Sequence, residues 1–202
     1  MGSEMCIRDR SDTNFIYVAA VNSSGELAGF YRSTNAGISW QKLGSSPNWL
    51  GNQGWYDNTL IVHPFNENII FVGGIDLYQI TAYDHSMSAI QISSWWGGNG
   101  LPYVHADHHC LVAIPHADST FALISTNDGG VFYSSDGGVH WEARNNQYNV
   151  TQYYDADKHP HLSQYVGGTQ DNGTHISPID PDNTTGWRRA IGGDGFDCAW
   201  DR

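Results

Sequence analysis

Positive charge is what this sequence most lacks. Nine Lys and Arg stand against 21 Asp and Glu, giving a formal net charge of −12, and no cluster of cations interrupts the acidic background. Binding to a phosphate backbone depends on concentrated positive charge, so nucleic acid is a disfavoured partner. No uncharged apolar run approaches the roughly 18 residues that cross a bilayer, so no membrane span is expected. Cysteine is also scarce, at three. Cys110 and Cys198 lie in apolar, strand-like segments and read as buried free thiols, while Cys6 falls in the leader described below. That count fixes no redox compartment.

What the chain does hold is turn formers and aromatics. Its 202 residues include 23 Gly, 8 Trp and 11 Tyr, with 40% hydrophobic but only 15% charged residues. This balance points to a folded protein of many short strands joined by tight turns, and the expected class is all-β. The first ten residues, MGSEMCIRDR, lack the apolar stretch of a signal peptide and show neither strand nor helix periodicity. They are similar to translated adapter sequence, so residues 1–13 are read as a non-native leader outside the fold.

The rest of the chain repeats. Ser33 to Trp40 (STNAGISW) and Ser134 to Trp141 (SSDGGVHW) share Ser, Asp or Asn, Gly and Trp at positions 1, 3, 5 and 8 of one frame. An Asp or Asn side chain can accept hydrogen bonds from the amides of such a turn, Gly supplies positive φ, and the Trp is expected to plug between neighbouring sheets. Asn35 and Asp136 are therefore read as structural. A second element, an acidic start running to a proline, recurs at YDNTLIVHP from Tyr56, HADHHCLVAIP from His105 and YDADKHP from Tyr154. Each is followed by an apolar hairpin around an Asp or Gly turn.

Trp95, Trp141 and Trp187 are spaced 46 residues apart. A period near 45 suits four short strands, the unit of a β-propeller blade. Blades are expected at about 14–45, 55–97, 104–144 and 151–191, with Gly193–Arg202 starting a fifth. Closing a ring takes more blades than these, so the rest of the propeller is expected to lie outside this chain.

Together with GWYD (54–57), VHADHH (104–109), NDGGVFYSSDGG (127–138), GGTQDNGT (167–174) and GGDGF (192–196), the repeat resembles the Asp-box (bacterial neuraminidase repeat) propellers. This superfamily includes sialidases, xyloglucanase-type glycoside hydrolases and sortilin-like ectodomains. These phrases also resemble large secreted Bacteroidetes-type proteins, often of the glycosyl-hydrolase kind. The resemblance implies an extracellular or cell-surface protein. Sialidase chemistry would need an arginine triad, and the available Arg32, Arg144, Arg188, Arg189 and Arg202 do not begin innermost strands. The xyloglucanase type uses two carboxylates, for which Asp57 is the nearest local match.

Blade geometry sorts the polar residues by face. Asp57, His105, Asp107, His108, Asp194 and Asp197 are expected to enter or begin innermost strands. Asp76, Asp128 and Asp171 fall in turns between second and third strands, which open on the same face. Asp57 and Asp107 are the catalytic candidates. Trp55, Tyr56, His105, His108, Asp128, Asp171 and Asp194 are the ligand-binding candidates, with Trp95 and Trp96 as further sugar-stacking surfaces. The bland alternative is that these Asp residues satisfy turn amides and the Trp rings pack between blades. A metal is not expected: His105, Asp107 and His109 could converge on one side of a strand with His108 turned away, but three ligands from one short strand rarely surround an ion. No cofactor is expected. The expected partner is a polysaccharide or glycan, the alternative a protein ligand held on a non-catalytic scaffold.

Overall fold

Apolar runs of four to eight residues pair into hairpins here wherever Asn, Asp or Gly turns the chain. The computed structural model describes residues 4–8 by their backbone, together with 13–146 and 151–201. It contains four antiparallel sheets, each of four strands in sequence order. The first sheet holds β1 (Glu4–Arg8), β2 (Ile16–Val21), β3 (Leu27–Ser33) and β4 (Gln41–Gly44). The second holds β5 (Thr59–His63), β6 (Asn66–Gly73), β7 (Leu77–Ala82) and β8 (Met87–Gln91). The third holds β9 (His108–Pro115), β10 (Phe121–Asn127), β11 (Gly130–Ser134) and β12 (Glu142–Ala143). The fourth holds β13 (Tyr153–Lys158), β14 (Tyr165–Thr169), β15 (Thr174–Ile176) and β16 (Arg188–Ile191). Among the described residues no helix is long and apolar enough to cross a membrane.

The chain divides into two compact units, Met1–Asn145 and Asn146–Arg202. In the first, the leading strands β1, β5 and β9 neighbour one another in turn. The middle sheet is covered on both faces, which explains why β5 reads as the unbroken apolar run TLIV rather than an alternation. Successive side chains still point opposite ways. Leu60, Val62, Ile70 and Ile80 pack with Tyr17, Phe30 and Leu43 of the first sheet, whereas Ile61, Phe71 and Leu77 pack with Leu111, Leu123 and Phe132 of the third. Four-stranded sheets with their first strands side by side and their cores between them are propeller blades. The chain is all-β and belongs to a β-propeller.

Sequence reasoning set residues 1–13 outside the fold, yet Glu4–Arg8 pairs with β2 from Glu4↔Ala20 to Arg8↔Ile16 and fills the first-strand position of the first sheet. A ladder of backbone hydrogen bonds asks little of side-chain pattern, so periodicity gave no sign of it. The rest of that segment, 1–3 and 9–12, lies outside the described residues. In the second unit, residues 192–201 form no strand of their own. They run beside β13, where the Cys198 amide donates to Asp155 Oδ2 at 3.3 Å and the Trp200 amide to Asp157 Oδ2 at 3.0 Å. The thiols also differ from expectation: Cys198 is only partly buried and Cys110 is exposed. Cys110 lies on the side of β9 away from Leu111 and Ala113, which hold the core.

Both copies of the eight-residue frame fold alike. Ser33 Oγ accepts from the Gly37 amide at 2.9 Å and Asn35 Oδ1 from the Ser39 amide at 2.9 Å. In the second copy Ser134 Oγ accepts from Gly138 at 2.8 Å and Asp136 Oδ1 from His140 at 2.9 Å. Gly37 and Gly138, at φ 88° and 97°, supply the left-handed backbone that the turn requires. Each indole Nε1 donates back to the carbonyl of that glycine at 3.1 Å. Trp141 packs onto the core between the second and third sheets as expected. Trp40, in the first sheet, is 44% exposed.

The turn carries a first prediction. Asp136 accepts from Ser134, Val139 and His140 through Oδ1; desolvation pushes its carboxyl up, but the His140 amide, the His140 side chain and the Ser134 hydroxyl together hold it down at about 2. Asp136→Ala leaves those donors to water, and is expected to lower stability by about 1–2 kcal/mol. Asp136→Asn should recover most of the loss, because Asn35 performs the same task in the first copy. Urea unfolding of both variants checks the pair.

Candidate functional site

One end of the sheets gathers the acids. Thr59 pairs with Gly73 and His108 with Asn127, so the entry to a first strand and the turn between second and third strands share an end. Asp57 lies two residues ahead of β5, Asp107 immediately ahead of β9, Asp76 in the β6–β7 turn and Asp128 in the β10–β11 turn.

Asp57 is buried. The turn that holds it closes through its own amide, which donates to the Gln53 carbonyl at 3.1 Å. Gln53 Nε2 then donates to Asp57 Oδ2 at 2.9 Å and also to Asp107 Oδ1, bridging the two carboxyls. Asp57 Oδ1 is buried and has no hydrogen-bond partner among the described residues. Burial drives its pKa up to about 7; the Gln53 bond opposes this and the neighbouring Asp107 charge adds to it. Asp57 therefore holds a proton through much of the acidic range. Contrary to its sequence reading as a residue that meets substrate, Asp57 is without exposed surface and is joined to Asp107 through Gln53.

Asp107 is half-buried and its pKa is raised, first by burial and then by the Asp128 charge. Its φ of 63° is a left-handed turn, which breaks the alternation assumed for 105–109. β9 begins only at His108. His108 does turn away from its neighbours. It is buried, and its Nδ1 lies 2.7 Å from Ser125 Oγ. Burial, helped by His105 and His109, drives it down to about 3, so it is neutral. It offers no surface to a ligand, contrary to its sequence reading, and instead anchors the first strand of the third sheet.

His109, weighed from the sequence only as a metal ligand, belongs to this cluster. Its Nε2 meets Asp128 Oδ1 at 2.7 Å, and the Tyr56 hydroxyl donates to Asp128 Oδ2 at 2.9 Å. The Tyr56 and His109 rings meet edge to face at 4.8 Å. Asp128 is available because its neighbour Asn127 takes the turn role, accepting from the Gly129 amide at 3.0 Å. A Cβ at Gly129 would lie 2.4 Å from the His105 side chain, so only glycine lets His105 cover this turn. Trp55 stands next to Tyr56, their ring centroids 5.7 Å apart, with 71% of its surface exposed.

The remaining candidates are structural or separate. Asp76 accepts from the Trp95 amide at 2.8 Å and from Gln91 Nε2, which is turn work. Trp95 and Trp96 are exposed on the loop that this bond helps to hold. Asp171 and Asp194 lie in the second unit, where Asp194 Oδ1 accepts from the Asp171 amide at 2.9 Å.

No protein-family model matches this chain, and no curated protein matches it by sequence. Among solved structures it is similar to a GH74 enzyme of Niastella koreensis, with 17% identity and a TM-score of 0.48 over 92% of this chain and 29% of that one. It is similar also to YCF48 from Cyanidioschyzon merolae, at 11% identity and a TM-score of 0.41 over 91% of this chain and 54% of that one. A GH74 xyloglucanase from Xanthomonas campestris aligns at 14% identity and a TM-score of 0.32, over 93% of this chain and 34% of the enzyme. This chain thus spans between about a third and about half of the length of these three.

Proposed function

We propose that this chain supplies part of the carbohydrate-binding face of a secreted, Asp-box type propeller that binds or hydrolyses a glycan outside the cell or at its surface. The observation that carries this reading is the adjacency of an exposed aromatic pair, Trp55 and Tyr56, to the carboxylate of Asp128. Sugars present apolar C–H faces and a rim of hydroxyls. An indole covers the first and ionised carboxylates bind the second. Asp107, raised in pKa, suits the acid of a general acid/base pair, and Asp128, held by Tyr56 and His109, suits the base. Asp57 and Gln53 fix Asp107 from below.

The test is a glycan array on the complete protein, followed by calorimetry with Trp55→Ala and Asp107→Asn. Each variant is expected to weaken glycan binding about tenfold, or about 1.4 kcal/mol. Unchanged affinity in both would remove these residues from the site. Absence of any glycan ligand would favour a non-catalytic scaffold for a protein partner.

A further inference from the structure

At the opposite end of the first two sheets a cavity of about 290 Å³ opens among Arg32, Ser39, Trp40, Gln41, Asp84 and His85. Arg32 is the last residue but one of β3, and Asp84 and His85 form the β7–β8 turn. This cavity shares no residue with the acidic end.

Arg32 is poorly satisfied for a buried charge. Its side chain is 8% exposed, yet its Nε has no hydrogen-bond partner among the described residues. Nη1 reaches Asn68 Oδ1 at 3.3 Å and Nη2 reaches the Asp84 carbonyl at 3.4 Å, both at the long limit of hydrogen bonding. The carboxylate of Asp84 stands 3.7 Å away on a side chain that is 97% exposed. Charge-assisted bonds from a guanidinium to a carboxylate normally close to about 2.7–2.9 Å and come in parallel pairs. A buried guanidinium with only distant partners is costly unless a further anion completes it.

The repeat does not account for this charge. Arg32 directly precedes Ser33 and pairs with Gln41. At the equivalent place in the third sheet, Tyr133 precedes Ser134 and pairs with Glu142. The fold therefore accepts a neutral ring at this position. Trp40 lines the same cavity.

We propose that this cavity binds a uronic acid residue of an acidic polysaccharide, with the sugar carboxylate on the Arg32 fork and the pyranose against Trp40. The indole takes the apolar face of the ring, while Ser39 and Gln41 meet its hydroxyls. Its volume is at the small end for ligand sites, which suits one saccharide unit better than a folded partner's surface. Asp84 occupies the place of the ligand carboxylate and swings out when the sugar binds.

The experiment is calorimetry of the full chain with trigalacturonate, its methyl ester and a hexaglutamate peptide. Trigalacturonate is expected to bind at least about tenfold more tightly than either control, and to weaken with added salt. Trp40→Ala should cost about tenfold, and Arg32→Gln more. Arg32→Lys should restore binding only in part, because an ammonium lacks the planar fork. Asp84→Ala should tighten binding a few-fold by removing the competing carboxylate. Equal affinity for acid and ester would overturn the proposal, as would tighter binding of the peptide or no binding at all. Trp40 and Asp84 are exposed, so their variants decide the matter even if Arg32→Gln fails to fold. Sensitivity to Asp107→Asn rather than to Trp40→Ala would assign the sugar to the acidic end instead.

Discussion

Phe71→Ala is expected to remove about 3–5 kcal/mol of folding stability, more than any other single truncation proposed for this chain. Phe71 is 1% exposed on the central strand β6 of the middle sheet, facing the third sheet. Its ring centroid lies 5.8 Å from that of Phe121 and 6.2 Å from that of His63, while His63 and Phe121 meet at 4.5 Å. Removing Phe71 empties the centre of that group. The paired strands on either side cannot collapse into the space without breaking their ladder, so the cavity persists and its cost adds to the lost transfer energy. Urea unfolding followed by tryptophan fluorescence measures the difference. Phe71→Leu should lose no more than about 1.5 kcal/mol, and Trp40→Ala, at an open site, about 0.5 kcal/mol or less. A loss as small for Phe71→Ala as for Trp40→Ala would contradict the inter-sheet core.

The legible parts of this fold are those encoded locally. Asp or Asn with Gly in an eight-residue frame fixes a turn through bonds within that frame, so the two copies could be recognised from sequence and their geometry anticipated. The same holds for the Asp128–Gly129 hairpin turn, whose flanking residues Asn127 and Gly130 pair directly. A period of about 45 residues made the blades countable, and blade order then placed Asp57, Asp107 and Asp128 at one end.

The illegible parts depend on contacts far apart in the chain. Gln53 touches Asp107 across 54 residues, and neither position carries a local sign of the other. His109 and His108 are adjacent and chemically identical, but the positive φ at Asp107 decides which is buried against Ser125 and which meets Asp128. Strand alternation separates His108 from His109, where β9 has begun, but says nothing of the turn at Asp107 just ahead of it. Arg32 was read only as an arginine outside the sialidase pattern. Its significance comes from burial and from the β7–β8 turn of the next sheet, neither of which spacing reveals.

Two buried titratable groups set opposite slopes on stability against pH, and single variants should separate them. Asp57 has a folded pKa of about 7 against an ordinary 3.8, so between those values the folded chain holds a proton that the unfolded chain releases. Its contribution is fully present below pH 3.8 and is lost as pH rises through 7, an effect of order 4 kcal/mol at 1.36 kcal/mol per pKa unit. His108 behaves in reverse. Its folded pKa is about 3 against 6.5, so between those values the unfolded chain takes up a proton that the folded chain refuses. Its contribution is present above pH 6.5 and lost as pH falls through 3, again of order 4 kcal/mol. Asp76 and Asp107, raised by burial, reinforce the first slope, and His63, lowered by burial, reinforces the second. From about pH 4 to 6.5 the Asp57 and His108 slopes nearly cancel, and the native chain should show a shallow profile there. Asp57→Asn removes the falling arm, so its stability relative to the native chain should climb steadily from pH 4 to 7 and exceed it at pH 8. His108→Asn keeps a side-chain nitrogen for Ser125 and removes the rising arm, so its relative stability should fall from pH 3 to 6.5. Urea titrations at pH 4, 5.5, 7 and 8 provide the comparison. Parallel profiles for both variants and the native chain would mean that neither group changes its proton affinity on folding, and Asp57 would then be largely ionised from pH 5.5 upward.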